Sequence, residues 1–194
     1  MLRAVFFATR MEAEHVLAEK SFGYRQICAE PFRVWRNDKN IIIVTGIGLV
    51  NASLGFAWAV RKYKFDDALN IGAVGATITD KDRGPSESIM GKVYKISKVV
   101  CLEPYNEKVF KLGRSGKALV TSSRPVSTRE ERIYAGKFAP LVDMEGYAFA
   151  RAAEIYSKNI SMVKMVTDFS HECDIFDNIR KMAERFAAMK DIWI

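Results

Sequence analysis

The sequence predicts an α/β protein, a three-layer sandwich around a mixed, largely parallel central sheet. Apolar segments of strand length alternate along the chain with segments whose apolar residues recur at helical spacing. Several of the strand segments are apolar throughout, which is typical of strands buried on both faces. With 194 residues, 49% hydrophobic and 27% charged, the chain is long enough for one well-filled core, and we expect a single domain over residues 1–194.

The predicted elements follow from composition and periodicity. In the first half, strands are expected at 2–8, 32–36, 41–45 and 68–72, and helices at 11–20 and 50–63. The strand at 68–72 is expected to end in a glycine turn, GAVGA. In the second half, strands are expected at 92–100, 117–123, 141–144 and 160–168, with helices near 128–136, 145–157 and 174–190. The segment TDKDRGPSES, 79–88, is predicted to be a loop.

Residues 41–60 carry no charge and by length alone could span a bilayer. However, the apolar run is interrupted by Gly46, Gly48, Asn51 and Ser53, and it changes from β-branched to helix-forming residues along its length. A strand, a glycine turn and a helix account for that change, so no membrane association is predicted.

Charge and cysteine content narrow the function classes. The net charge of +7 permits attraction to polyanions, but the basic residues are scattered singly among acids, so nucleic acid is not the expected partner. Three widely separated cysteines fit neither a disulfide framework nor a metal site and indicate reduced thiols in a cytoplasmic protein. His15 and His171 show no metal-ligand spacing, and we expect neither a metal nor a cofactor.

Three acidic residues lie where predicted strands end or shortly beyond. In α/β sheets, ligands bind at the carboxyl ends of the strands, so Glu14, Glu145 and Asp168 are expected to converge on one rim. Each also has a purely structural interpretation, as a solvated helix residue, as a first-turn acid beside a helix dipole, or as an N-cap.

The order of the motifs resembles a known superfamily. ATRMEAE after the first strand is followed by TGIGLVNASLG, LNIGAVGA, VDMEGYAFA and VKMVTDFS. This series resembles the purine nucleoside phosphorylase and nucleosidase superfamily, most closely its methylthioadenosine/S-adenosylhomocysteine nucleosidase branch. The resemblance implies an α/β fold with a mixed sheet, homodimers or larger assemblies, and cleavage of the bond between ribose and a purine.

The resemblance also implies roles for individual residues. Cleaving this bond builds positive charge on the sugar and negative charge on the base, so an acid is needed at the base and an anion or polarised water at the sugar. By resemblance Asp168 is the acid at purine N7, Glu145 binds the ribose hydroxyls and Glu14 activates water. Asp143 is expected to be structural. Further substrate-binding positions implied by the resemblance are Met144, Gly75, Thr167, Lys164 and Asn70.

One position bears on the choice between hydrolysis and phosphorolysis. Phosphorylases of the superfamily typically carry an arginine where this chain has Asn70, which favours hydrolysis, although Arg10 could supply charge for phosphate. The chain also departs from the nucleosidases at Ala73 and Lys164, where serine and arginine are usual, so the substrate stays open between adenine-type and modified purine nucleosides such as futalosine.

Two other classes fit less of the sequence. A dinucleotide-binding oxidoreductase would use GIGLVN as its phosphate turn, but Asn51 replaces the third glycine and the next strand ends without the expected acid. A noncatalytic nucleoside- or nucleic-acid-binding protein on the same fold is the alternative to an enzyme.

Overall fold

The computed structural model describes residues 2–78, 89–103, 108–168 and 175–189. The predicted loop at 79–88, together with His171 and Cys173, lies outside this part of the chain. The strands are β1 Arg3–Phe7, β2 Arg25–Cys28, β3 Arg33–Arg36, β4 Asn40–Val44, β5 Asp67–Ala76, β6 Val93–Cys101, β7 Phe110–Lys111, β8 Lys117–Thr121, β9 Leu141–Asp143 and β10 Asn159–Asp168. The α-helices are α1 Arg10–Ala18, α2 Leu49–Lys62, α3 Arg129–Gly136, α4 Gly146–Ile155 and α5 Ile175–Ala188, and Lys20–Phe22 form a 3-10 turn.

All the described strands belong to one mixed sheet. Its order is β10-β6-β8-β9-β5-β1-β4-β3-β2, with β7 beside β6. Strand β10 also pairs with β5, so β5, β9, β8, β6 and β10 form a closed ring of pairings. Among the described strands, five pairings are parallel and five antiparallel, so the sheet is mixed. Short connections such as the one from β3 to β4 account for part of the antiparallel share.

Strand β5 lies between β1 and β10 and runs parallel to both. The carboxyl ends of these three strands therefore meet at one edge of the sheet, which is where ligands bind in α/β proteins. This part of the topology agrees with the sequence prediction and positions the site described below.

Apolar clusters lie beneath two pairs of helices. Helices α1 and α5 pack on each other, and Phe7 and Phe186 belong to the core cluster beneath them. Helices α2 and α4 pack together, and Phe6 contacts Phe56 and Phe149 with ring centroids 5.0 and 5.3 Å apart. The helical periodicity predicted in each of these four segments is thus used to bury an apolar face.

The apolar segment at 41–60 divides as predicted. Strand β4 ends at Val44, Gly46 and Gly48 adopt φ values of 95° and 93°, and α2 begins at Leu49. Only glycine adopts such φ values without strain, which explains why two glycines stand between strand and helix. Within the described ranges, none of the helices combines the length and the apolar character needed to cross a membrane.

The predicted glycine turn at GAVGA is wrong, because β5 continues through it to Ala76. The glycines make room for neighbouring side chains. A Cβ atom on Gly72 would lie 3.0 Å from Glu12 Oε1, and one on Gly75 would lie 2.9 Å from both Arg132 Nη1 and Asp168 Oδ2. The prediction also missed the short strands β2 and β7.

Candidate active site

A cavity of about 200 Å³ opens at the shared carboxyl edge of β1, β5 and β10. Four carboxylates line it, and neither lysine nor arginine is among the described residues of its wall. The acids are Glu12, Asp143, Glu145 and Asp168, and the remaining wall consists of Ala8, Thr9, Ile47, Ala73, Val74, Gly75, Pro125, Val126, Val142, Met144, Thr167 and Ile179.

Glu12 is fixed by the start of α1. Thr9 caps this helix, and in the capping box the Thr9 amide and hydroxyl donate to Glu12 Oε2 at 2.8 and 3.0 Å. The Ala73 amide of β5 donates to Glu12 Oε1 at 2.9 Å. With 3% of its surface exposed, the carboxylate is therefore buried, held by three donors and directed at the cavity.

Glu14 does not converge with the other acids, which corrects the sequence prediction. It lies exposed on α1 and contributes nothing to the cavity wall, whereas Glu12 does. The helical period explains the difference, because Glu12 is four residues from the buried Val16 while Glu14 is four residues from the exposed Ala18.

Asp143 is saturated by protein contacts. Its Oδ1 atom accepts from the Thr121 hydroxyl at 2.7 Å, and Oδ2 accepts from the Gly146 amide at 2.9 Å. The ammonium of Lys164, 1% exposed, forms an ion pair with Oδ2 at 2.8 Å. Asp143 therefore fixes the start of α4 and neutralises a buried lysine, which agrees with its predicted structural role.

Glu145 stands at the N-cap of α4, yet its side chain makes no capping hydrogen bond. Instead, Oε1 accepts a hydrogen bond of 2.7 Å from the Gly48 amide, which follows the turn after β4. Burial raises the pKa of Glu145 to about 7; the negative charges of Asp143 and Glu12 also raise it, while Lys164 and the Gly48 amide act in the opposite direction. A group with this pKa changes its charge near neutral pH.

Asp168, the last residue of β10, forms a buried ion pair with Arg132 of α3. The second arginine nitrogen, Nη1, donates to the Ala76 carbonyl at 2.6 Å. On the other side of the carboxylate, the Thr167 hydroxyl donates to Oδ1 at 3.3 Å. Sequence reasoning did not single out Arg132, which is 1% exposed and is among the largest fully buried side chains.

The other predicted residues divide into two groups. Met144, Gly75 and Thr167 line the cavity together with Glu145 and Asp168. Lys164 and Asn70 are both 1% exposed and are not part of its wall. Asn70 donates from Nδ2 to the Phe6 carbonyl at 3.2 Å, while its Oδ1 atom has no hydrogen-bond partner in the described ranges.

The four carboxylates of the cavity wall suit a reaction in which the substrate becomes positively charged in the transition state. Carboxylates accept hydrogen bonds from hydroxyl groups, remove protons from water and stabilise a cationic transition state. Burial strengthens each of these interactions because the local dielectric constant is low. An anion in the same place would meet negative charge on several sides without a cationic side chain in the described wall.

The fold and the acidic cavity are those expected of an α/β protein that binds a ligand at the edge of its sheet. Comparison with solved structures identifies the fold more closely. A futalosine hydrolase mutant of Helicobacter pylori strain 26695 superposes with a TM-score of 0.83 at 14% identity, covering 100% of this chain and 98% of that one. The 5'-methylthioadenosine/S-adenosylhomocysteine nucleosidase of Helicobacter pylori gives 0.82 at 14% identity, with 100% and 97% covered. S-adenosylhomocysteine nucleosidase from Streptococcus pyogenes gives 0.81 at 18% identity, with 100% and 95% covered.

These superpositions confirm the fold implied by the sequence resemblance, that of the nucleosidases, over the full length of the chain. No protein-family model and no curated protein sequence matches the chain.

Proposed function

We propose that this protein is a purine nucleosidase that hydrolyses the N-glycosidic bond of a nucleoside. The observation that carries the proposal is the convergence of Glu12, Glu145 and Asp168 on one cavity at the sheet edge. Hydrolysis of this bond proceeds through an oxocarbenium-like sugar and needs an activated water, a partner for the sugar hydroxyls and a group at the base. The nucleosidase fold, shared over the whole chain, supports the same reaction class.

Each acid suits one of these tasks. Glu12 is the candidate base for the attacking water, because its two oxygens are held in place at the cavity wall by three donors. It replaces Glu14 in that role. Glu145 binds the ribose hydroxyls, with Met144 beside it against the sugar. Asp168 faces the base and, once protonated, donates toward purine N7 as the bond breaks.

Hydrolysis is favoured over phosphorolysis by the charge of the cavity. Phosphate requires fixed positive charge or a cluster of free backbone amides. The described wall holds four acids and no basic side chain, the Gly48 amide is already bonded to Glu145, and Arg10 is exposed away from the wall.

An adenine-type nucleoside is the substrate class that we propose. The S-adenosylhomocysteine nucleosidase from Streptococcus pyogenes was crystallised with 5-methylthiotubericidin, and the Colwellia psychrerythraea nucleosidase, at 17% identity and a TM-score of 0.81, with adenine. The similarity to a futalosine hydrolase makes futalosine the first competing substrate to test.

The remaining expectations about organisation enter as proposals. We propose a three-layer single domain over residues 1–194, because one helix pair, α1 with α5, and the other, α2 with α4, each lie over their own apolar cluster. A homodimer or larger assembly is supported by the outer face of α2, where Val50 and Leu54 are 70% and 58% exposed close to Ile47 of the cavity wall. Cytoplasmic location rests on the cysteine pattern alone.

The decisive experiment is incubation with a panel of purine nucleosides with and without phosphate, followed by chromatography of bases and sugars. We expect free base and free ribose at equal rates in both conditions. Ribose 1-phosphate formed only with phosphate would establish phosphorolysis instead. Retention of a nucleoside without base release, in a protein that is shown to be folded, would establish the noncatalytic alternative.

The companion variant is Asp168→Asn, which removes the proton donor at nearly constant size. Base release is expected to fall by about two to four orders of magnitude, the usual contribution of general acid catalysis. Wild-type turnover in the folded variant would contradict the role of Asp168.

A further inference from the structure

The buried pair of Arg132 and Asp168 is a feature that the proposed reaction does not require. Arginine is seldom buried, and here it is 1% exposed and reaches from α3 to the end of β10. Its Nη2 and Nη1 atoms are used by Asp168 and the Ala76 carbonyl, while Nε has no partner within the described residues. Such a costly arrangement calls for a functional explanation.

The pair determines what Asp168 presents to the cavity. Guanidinium keeps its charge at all physiological pH values, so its partner in the ion pair is a carboxylate. A carboxylate accepts hydrogen bonds and donates none. Arg132 itself is not part of the cavity wall, so a bound base meets Asp168 rather than the arginine.

The position of the carboxylate is fixed as well as its charge. Oδ2 is held by Arg132, the Thr167 hydroxyl donates to Oδ1, and the bare Gly75 of β5 leaves space for the pair. A Cβ atom at Gly75 would lie 2.9 Å from both members of the pair, so the strand is shaped around it.

We propose that Arg132 is a specificity-determining positioning residue that makes the cavity select a 6-aminopurine over a 6-oxopurine. The inference rests on the proposed nucleosidase function and deepens it. A 6-amino group donates to the fixed carboxylate, whereas a 6-oxo group would place two acceptors against each other. The ionised form of Asp168 thus recognises the base; as the bond breaks, Asp168 takes up a proton from solvent and passes it to N7, and the proton that Glu12 removes from the attacking water is released to solvent.

The test compares kcat/KM for adenosine and inosine in the wild type, Arg132→Met and Arg132→Lys. The wild type is expected to favour adenosine by about 100-fold or more, as sites built to bond one polar group reject analogues lacking it. In Arg132→Met, Asp168 loses the cation that fixes it in place as a hydrogen-bond acceptor, so the cavity discriminates less against a 6-oxo group. The ratio should fall by at least about tenfold in that variant, while Arg132→Lys keeps most of it.

Folding is controlled with the double variant Arg132→Met/Asp168→Asn. It leaves no unpaired buried charge, so it should melt at a higher temperature than Arg132→Met alone. If Arg132→Met does not fold, the same ratio is measured in Arg132→Gln, which removes the charge while keeping hydrogen-bond donors. An adenosine-to-inosine ratio that stays at the wild-type value in the folded variant, or a wild type without preference, would overturn the proposal.

Calorimetric binding of free adenine and free hypoxanthine separates this inference from the reaction. A protein that releases no base but binds adenine more tightly, with that preference lost in Arg132→Met, would refute the nucleosidase and retain the role of Arg132. A protein that hydrolyses nucleosides with the same base preference in every Arg132 variant would retain the nucleosidase and refute the role of Arg132.

Discussion

Replacing Glu12 by glutamine tests the assignment of the water-activating base, with Glu14→Gln as the matched control. The two acids stand two positions apart on α1, one buried in the cavity wall and the other exposed. Glutamine has the size of glutamate but is a far weaker base. In Glu12→Gln we expect kcat to fall by about two to four orders of magnitude, the range for general base catalysis, whereas Glu14→Gln should keep wild-type kcat.

The contacts of Glu12 also set the expected loss of stability. Its oxygens accept from the Thr9 amide, the Thr9 hydroxyl and the Ala73 amide, so either orientation of a glutamine turns its NH₂ group toward a backbone donor. One buried N–H then loses its acceptor, which costs about 1–3 kcal/mol of unfolding free energy. Glu14→Gln, on the exposed side of α1, should change it by less than about 0.5 kcal/mol.

Activity and stability are separated by a third variant. Thr9→Val removes the cap of α1 and one donor to Glu12, costing about 1 kcal/mol of stability, but leaves the carboxylate in place. Base release is measured by chromatography and unfolding by urea titration. A large loss of kcat in Glu14→Gln with normal turnover in Glu12→Gln would refute the reasoning, as would equal losses in Thr9→Val and Glu12→Gln.

Four further outcomes are expected from residues in and around the site. The folded protein raises the pKa of Glu145 from 4.5 to about 7. The unfolding free energy should therefore fall as pH rises through this range, by at most about 3 kcal/mol, and then level off. In urea titrations of Glu145→Gln, this dependence of the unfolding free energy on pH should be lost. In the same variant, kcat for ribonucleosides should fall at least about tenfold and 2'-deoxy substrates should lose their disadvantage, since the sugar hydroxyls lose a charged acceptor; unchanged sugar discrimination would exclude Glu145 from the site. Lys164→Met should lower unfolding free energy by about 3–5 kcal/mol because Asp143 would be buried without its cation, and a melting curve like that of the wild type would contradict the ion pair. Gly75→Ala should reduce both stability and base release, because the new methyl group would lie 2.9 Å from each member of the buried arginine–aspartate pair, and full activity would show that the pair can move aside.

The sequence was sufficient for the alternation of strands and helices and for the sheet edge where the site lies. It also located Glu145 and Asp168 at the cavity wall, because Glu145 comes two residues after the end of β9 and Asp168 is the last residue of β10, and the ends of buried strands are easy to recognise. The burial of Glu12 rather than Glu14 at the cavity could also have been inferred, because Thr9 and Glu12 have the spacing of a capping box and Glu12 lies in phase with Val16.

Arg132 and the course of β5 could not be inferred in this way. Arginine within a charged helix is usually exposed, and Asp168, which forms the ion pair with the buried Arg132, lies 36 residues further along the chain. Glycine likewise indicates a turn in sequence patterns. Gly72 and Gly75 instead lie within strand β5, where side chains from other elements occupy the space that a Cβ atom would need. Contacts between distant parts of the chain cannot be recognised from the local sequence.

The run of small residues in β5 has a consequence for attempts to redesign the cavity. Where the wall consists of Ala73, Val74 and Gly75, part of its surface is main chain rather than exchangeable side chain. Mutagenesis can add bulk there only by displacing the groups packed against the strand. Libraries aimed at accepting a larger or differently shaped nucleoside should therefore vary a wall residue outside the strand, such as Ile47, whose side chain is 39% exposed.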